Sequence, residues 1–231
     1  TAFDAIYDDE FSFALEASGN TIVSSAWKKK GTGNIEKMGA VYVYDANDLS
    51  ATPTKLTAFD AAANDQFGSS IAITSDNIFV GSGGDNNSSG SIYVYDINDL
   101  SATLTKLTAS DGANNDWFAG EYGMVATSEK LIVSSIYDDD GDFYDSGSVY
   151  VYDLNDLTAQ PTKFNEPIPW YANHFGKSVD GLSDKFVVGA PYANYNGQSN
   201  LYNDSGAAYV YDANDLSAQP TEISLKTMGF P

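Results

Sequence analysis

The chain has 231 residues and carries 11 basic against 32 acidic side chains, a net charge of −21. Every basic residue is Lys, and the acids outnumber them almost three to one, which argues against releasing counterions from a nucleic-acid backbone or holding an anionic membrane. The absence of Cys excludes disulfides, thiolate nucleophiles and Cys-ligated metals. No apolar run approaches the roughly 20 residues a membrane-spanning helix needs.

Read from the start, one string recurs four times: Val41-Tyr42-Val43-Tyr44-Asp45, Ile92-Tyr93-Val94-Tyr95-Asp96, Val149-Tyr150-Val151-Tyr152-Asp153 and Ala208-Tyr209-Val210-Tyr211-Asp212. Each copy is followed by Asn-Asp-Leu and a Ser or Thr. A second string precedes each: Asp9-Glu10-Phe11, Asp65-Gln66-Phe67, Asp116-Trp117-Phe118 and Asn173-His174-Phe175. Self-similarity at such a period marks a repeat architecture. The units divide the chain at approximately 1–56, 57–107, 108–164 and 165–231.

Each unit predicts four short strands. In the second they fall at 69–74, 77–82, 91–96 and 105–109, the first two joined by the polar turn Ser75-Asp76. The third strand alternates Ile92 and Val94 with Tyr93 and Tyr95, so both of its faces are apolar or aromatic. A two-sided sheet of this kind needs a neighbour on each side, which radially stacked blades provide. Asp48, Asp99, Asp156 and Asp215 are expected to cap a turn or a single helical turn after each third strand. The fold expected is therefore all-β, a β-propeller of four-stranded antiparallel blades with four blades in this chain. Thr1-Ala2-Phe3-Asp4 repeats Thr57-Ala58-Phe59-Asp60, so the chain begins and finishes on the same segment of the unit. A ring closed on four blades is the first expectation. Part of a larger ring, or a half-ring paired with a second copy, are the alternatives.

Phe175-Gly176, Val187-Val188-Gly189-Ala190-Pro191 and Gly206-Ala207-Ala208-Tyr209-Val210-Tyr211 together resemble the FG-GAP repeat, the blade of integrin-alpha-like β-propellers. The other units keep only part of this signature, with Phe67-Gly68 in the second and Phe11-Ser12 and Phe118-Ala119 in the first and third. The acidic units also resemble those of repeat proteins from marine phages and bacteria. That resemblance implies an extracellular setting, secreted or on a virion surface.

Two groups of residues carry candidate chemistry. The loop from Asp138 to Asp145 holds Asp138, Asp140, Asp142 and Asp145 around Gly141, a spacing that could bring hard oxygen ligands onto Ca²⁺. It departs by one step from the calcium loop known in FG-GAP repeats, and a solvated acidic loop is the alternative. The second group comprises Trp27, Tyr137, Tyr144, Tyr192 and Tyr195 in the variable loops before the third strands, with Trp117 and Trp170 in the lead-in segments before the first strands. In a four-strand meander both loop sets emerge on one face. Amphipathic rings there suit a glycan or protein ligand. The repeated Asp of the lead-in strings is expected to bond loop amides. His174, the lone His, is expected to pack the loop, and Lys28-Lys29-Lys30 to be solvated or paired.

The function expected is a non-catalytic extracellular binding or adhesion module. The alternative is a structural subunit of a virion or cell-surface fibre that self-associates through its propeller faces. A polysaccharide-degrading enzyme would need two cooperating carboxylates in one cleft.

Overall fold

The computed structural model of the chain describes residues 3–4, 6–33, 35–101, 105–121, 123–193 and 205–224. Sixteen strands form four sheets of four, each an antiparallel meander in chain order. The first sheet holds β1 (Phe11–Ser18), β2 (Thr21–Ala26), β3 (Ala40–Asp45) and β4 (Thr54–Leu56). The second holds β5 (Phe67–Ile73), β6 (Asn77–Ser82), β7 (Ser91–Asp96) and β8 (Thr105–Leu107). The third holds β9 (Met124–Ala126), β10 (Lys130–Ser135), β11 (Ser148–Asp153) and β12 (Thr162–Asn165). The fourth holds β13 (Ser178–Gly181), β14 (Lys185–Ala190), β15 (Ala207–Asp212) and β16 (Thr221–Ser224). These are the blades of a propeller; the strands expected in the second unit coincide with β6 and β7 and differ from β5 and β8 by one or two residues at their ends.

Local chemistry explains the regularity. Tyr and Val alternate along β3, β7 and β11, and register pairs such as Val80 with Tyr93 on one face and Phe79 with Val94 on the other fill both faces. After each third strand an Asp closes a turn rather than capping a helix. Asp48 accepts hydrogen bonds from the Ser50 amide at 3.1 Å and hydroxyl at 2.6 Å, and Asp99, Asp156 and Asp215 repeat the pattern. In the lead-in segments Asp9, Asp65 and Asp116 each accept the amide three residues upstream, at 2.8, 2.5 and 2.6 Å. Their role is to fold the chain into the next blade.

Adjacent blades share a core. Val23, Val41 and Leu56 of the first pack on Phe67, Ile71, Val80 and Tyr95 of the second. Phe79, Ile92, Val94 and Leu107 of the second pack on Phe118, Leu131 and Tyr152 of the third. Ile132, Val149 and Val151 of the third pack on Phe175, Phe186, Val188 and Tyr211 of the fourth. A glycine marks each junction. Gly39, Gly90 and Gly147 have φ of +83°, +87° and +85°. A Cβ on any of them would lie 2.0–2.3 Å from the carbonyl oxygen of Phe67, Phe118 or Phe175 of the next blade. At the same places the amides of those phenylalanines donate to Met38, Ser89 and Ser146 at 3.1, 3.1 and 2.8 Å.

The fourth junction departs from the closed four-bladed ring expected from the repeats. Among the described residues no buried apolar cluster joins the fourth blade to the first: Ala26, Ala40 and Tyr42 form a cluster with Phe11 and Tyr44 inside the first blade alone. The nearest atoms to a Cβ on Gly206 belong to Pro191 of its own blade, at 3.2 Å. Leu15 is 59% exposed where its equivalent Ile71 is 4% exposed. Ile223 is 44% exposed where its equivalent Leu107 is 7% exposed. Four blades in this packing leave the ring open.

Candidate binding face

The position between Asp and Phe in each lead-in string is a built slot. Glu10, Gln66, Trp117 and His174 all sit in the left-handed region, with φ of +49°, +58°, +56° and +52°. That conformation is uncommon for residues other than glycine and is held here by the surrounding turn bonds. In the first, third and fourth blades the slot meets the loop that follows the second strand. Glu10 accepts the Trp27 indole N–H at 2.7 Å and pairs with Lys28. The Lys28 ammonium, with help from the indole, holds the Glu10 carboxyl below its ordinary range. Trp117 meets Tyr137 edge to face at 6.0 Å, and His174 meets Tyr192 in the same way at 5.2 Å.

Tyr137 also touches His174, at 5.3 Å, and this contact crosses from the third blade to the fourth. Four rings, Trp117, Tyr137, His174 and Tyr192, thus run in a line over the third and fourth blades. Burial, with the Lys177 ammonium adding to it, pushes the His174 pKa down, so the imidazole stands neutral in the line at pH 7. A second group lies on the same loop set. Phe143 packs on Trp170 at 5.8 Å and on Tyr171 at 5.5 Å, and Tyr144 lies 6.3 Å from Tyr171. The Ala172 amide donates to the Tyr144 carbonyl at 2.9 Å and pins the two segments together. Tyr144 is 66% exposed, and Tyr171 and Tyr192 are also exposed. The rings form a shelf with accessible faces and hydroxyls.

The structure therefore brings together Trp117, Tyr137 and Tyr192 in one row and Tyr144 and Trp170 in the other. Trp27 stays apart, buried against Phe13 at 5.4 Å, with Lys28 and Lys37 over its ring at 5.0 and 5.7 Å. Tyr195 lies outside the described residues. His174 and Phe143 are central to the shelf although the sequence reading assigned neither to it. The signal for His174 was its slot, shared with Trp117.

The acidic loop is organised differently from a calcium site. Asp138 is buried, and its Oδ2 accepts the Ser148 hydroxyl and pairs with Lys163 at 2.7 Å. Lys163 also pairs with Asp111 at 2.7 Å, and Tyr150 donates to Asp111 at 2.7 Å. The second blade has the same arrangement: Lys106 pairs with Asp60 and Asp85 at 2.7 and 2.6 Å, and Tyr93 donates to Asp60 at 2.7 Å. Asp138 is thus the counterpart of Asp85, a scaffold acid held by a lysine from the outer strand. Asp139 accepts the Asp145 amide at 2.9 Å, while Asp140 pairs its backbone with Phe143. Asp142 and Asp145 are exposed. Among the described residues no three acidic or imidazole groups converge as a metal-holding cluster. Asp138, Asp140, Asp142 and Asp145 as placed do not fit an ion that takes six to eight oxygens. All three lysines of the Lys28–Lys30 run are engaged as well, with Glu10, Asp9 and Glu36.

In the fourth blade the lysine network is replaced. Ile168, Ala193 and Glu222 stand where the second blade has Asp60, Asp85 and Lys106. Glu166 turns inward instead, accepting from Tyr209 at 2.9 Å and from the Asn173 side-chain amide at 2.5 Å. Burial pushes its pKa up against the two hydrogen bonds.

The repeat, the strand order and the lead-in geometry agree with a sequence comparison. The profile of the FG-GAP repeat matches residues 52–95 and 103–152. The chain is a β-propeller, and these two segments of it are FG-GAP repeats. The matched FG-GAP segments run from the outer strand of the first blade through the third strand of the third. Among solved structures, the computationally designed Ika4 protein superposes with a TM-score of 0.52 at 13% identity, covering 90% of this chain and 94% of that one. The β-propeller domain of the Trilobed protease from Pyrococcus furiosus, described as having an open velcro topology, superposes with a TM-score of 0.52 at 14% identity. That match covers 93% of this chain and 56% of the Pyrococcus chain, so this propeller spans just over half its length. At such identities the likeness is one of fold. No curated protein matches the sequence.

Proposed function

We propose that this FG-GAP propeller is a non-catalytic extracellular binding module whose ligand, a glycan or a protein surface, docks on the aromatic shelf of the third and fourth blades. The observation that carries the reading is the shelf itself: exposed Tyr144, Tyr171 and Tyr192 rings adjoining half-buried Trp117 and Trp170, on the loops where the repeats differ most. Flat rings edged by hydroxyls offer apolar area for a sugar or peptide face and a polar rim. The chain's charge of −21 favours an uncharged or cationic ligand over an anionic one. Two features support a role without catalysis. Asp138 is locked to Lys163, and His174 is packed edge-on between Tyr137 and Tyr192. Among the described residues no helix is long and apolar enough to cross a membrane.

The test is binding of the purified chain to a panel of immobilised neutral and charged polysaccharides and to surface-protein extracts. Trp117→Ala and Tyr144→Ala are expected to weaken binding at least tenfold with the far-ultraviolet spectrum unchanged, while Trp27→Ala, away from the shelf, retains it. Binding that survives both shelf substitutions, or release of new reducing ends from a bound polysaccharide, would overturn the proposal.

A further inference from the structure

The two open faces of the chain are the two halves of a contact the chain already makes three times. On the fourth blade the open face carries Val187, Ala208, Val210 and Ile223. These are the positions that Val23, Val41, Val43 and Leu56 occupy where the first blade covers the second. On the first blade the open face carries Phe11, Leu15, Ile22 and Tyr44. These correspond to Phe67, Ile71, Ile78 and Tyr95, which receive that cover. The backbone is left in the same state. Gly206 keeps the positive φ of the junction glycines, +73°, with no phenylalanine carbonyl of the described residues against it. The amide-to-carbonyl bond that Phe67, Phe118 and Phe175 make across their junctions is not formed between Phe11 and Ser205.

We propose that the open face of the fourth blade seats on the open face of the first blade of a second copy of this chain, head to tail, with Gly206 meeting Phe11 of that copy. Each face is shaped and patterned for the other and neither for itself. One surface presents small and branched aliphatic side chains and a glycine; the other presents a phenylalanine, a leucine and a tyrosine. A contact of this kind is heterologous: it closes into a ring where the rotation permits and otherwise runs on as a fibre. It engages the sheet faces, and Tyr192, the counterpart of the Tyr137 that crosses the third junction, borders it on the shelf side.

Leu15→Asp and Ile223→Asp test the proposal, because both side chains are exposed and neither supports a core. Mass is read by light scattering after size exclusion, with each chain's circular dichroism as the folding control. The unaltered chain is expected at twice its 24.7 kDa or more. Each single variant is expected as a monomer, because every junction it could make includes one altered face. An equimolar mixture of the two variants retains one intact junction and is expected to form a 1:1 dimer. A wild-type chain that stays monomeric up to high micromolar concentration in 0.5 M NaCl would overturn the proposal. So would a single variant that still self-associates, since that requires like faces to meet, and so would a mixture that stays monomeric.

Discussion

At the scale of single residues, the molecule treats its acids in two ways. Asp60 and Asp111 are each held below the ordinary carboxylate range: burial opposes their charge, but a lysine and a tyrosine hydroxyl more than offset it. Asp116 is ion-paired with no lysine among the described residues, and burial pushes it up to about 6, with Asp138 and Asp139 adding to the effect and the Ala113 amide and the more distant Lys163 opposing it. A carboxyl raised in the fold binds its proton more tightly there than in the unfolded chain. Its contribution to stability is therefore greatest at low pH and declines as pH rises from about 4 to about 6. The fourth blade already carries the neutral alternative, Asn173. Asp116→Asn keeps an acceptor for the Ala113 amide and is expected to remove that decline. Urea melts of both chains at pH 4 and pH 7.5 measure it, and an unchanged difference between them would count against the raised carboxyl. Lys163 makes the opposite case. Lys163→Ala leaves Asp138 buried without its cation and is expected to cost about 3 kcal/mol. Lys185→Ala, which breaks an exposed pair with Asp184, should cost under about 1 kcal/mol in the same denaturation experiment.

At the scale of elements, the junction glycine is the part with least tolerance. Gly90→Ala would place a methyl 2.1 Å from the Phe118 carbonyl oxygen at a φ of +87°. The expected loss is about 3 kcal/mol, read as a fall in the urea midpoint. Gly19→Ala, at a positive φ in an open turn, isolates the conformational share of that loss, because no atom lies within 4 Å of its Cβ position. The strands themselves were legible in the sequence because their determinants are local. Tyr-Val alternation and two-residue polar turns act over fewer than ten positions and recur four times. The organisation of the acidic loop was not legible, for the opposite reason. The direction in which Asp138 points is decided by Lys163, in another strand, and by Ser148. Spacing within the loop carries no trace of either. The shelf was half legible. Trp117 and Tyr137 could be assigned to one face from the meander, but the line through His174 depends on a left-handed slot that only the folded backbone displays.

At the scale of the whole molecule, the number of blades could be counted in the sequence but the closure of the ring could not. Closure depends on the rotation between successive blades, a small angle summed over the chain and set by core side chains on both sides of each junction. The repeats are equally compatible with any total. The open ends carry a consequence for salt. Two copies that each bear −21 repel at low ionic strength, so the head-to-tail contact should strengthen between 50 mM and 500 mM NaCl. Sedimentation velocity at the two salt concentrations checks this, and tighter association at the lower one would contradict it.

The open fourth junction also makes the chain, as a folding system, a line of four coupled units with two ends. In such an array each unit draws its stability from itself and its neighbours, so the end units have one neighbour and the inner units two. Local opening should begin at the ends. Hydrogen exchange of the isolated chain is accordingly expected to be fastest in β1 and β16, slower in β14 and β3, and slowest in β6, β7, β10 and β11. Joining end to end would erase that gradient, because every blade would then have two neighbours. Uniform protection along a dilute monomer would mean that the blades melt together as one cooperative body.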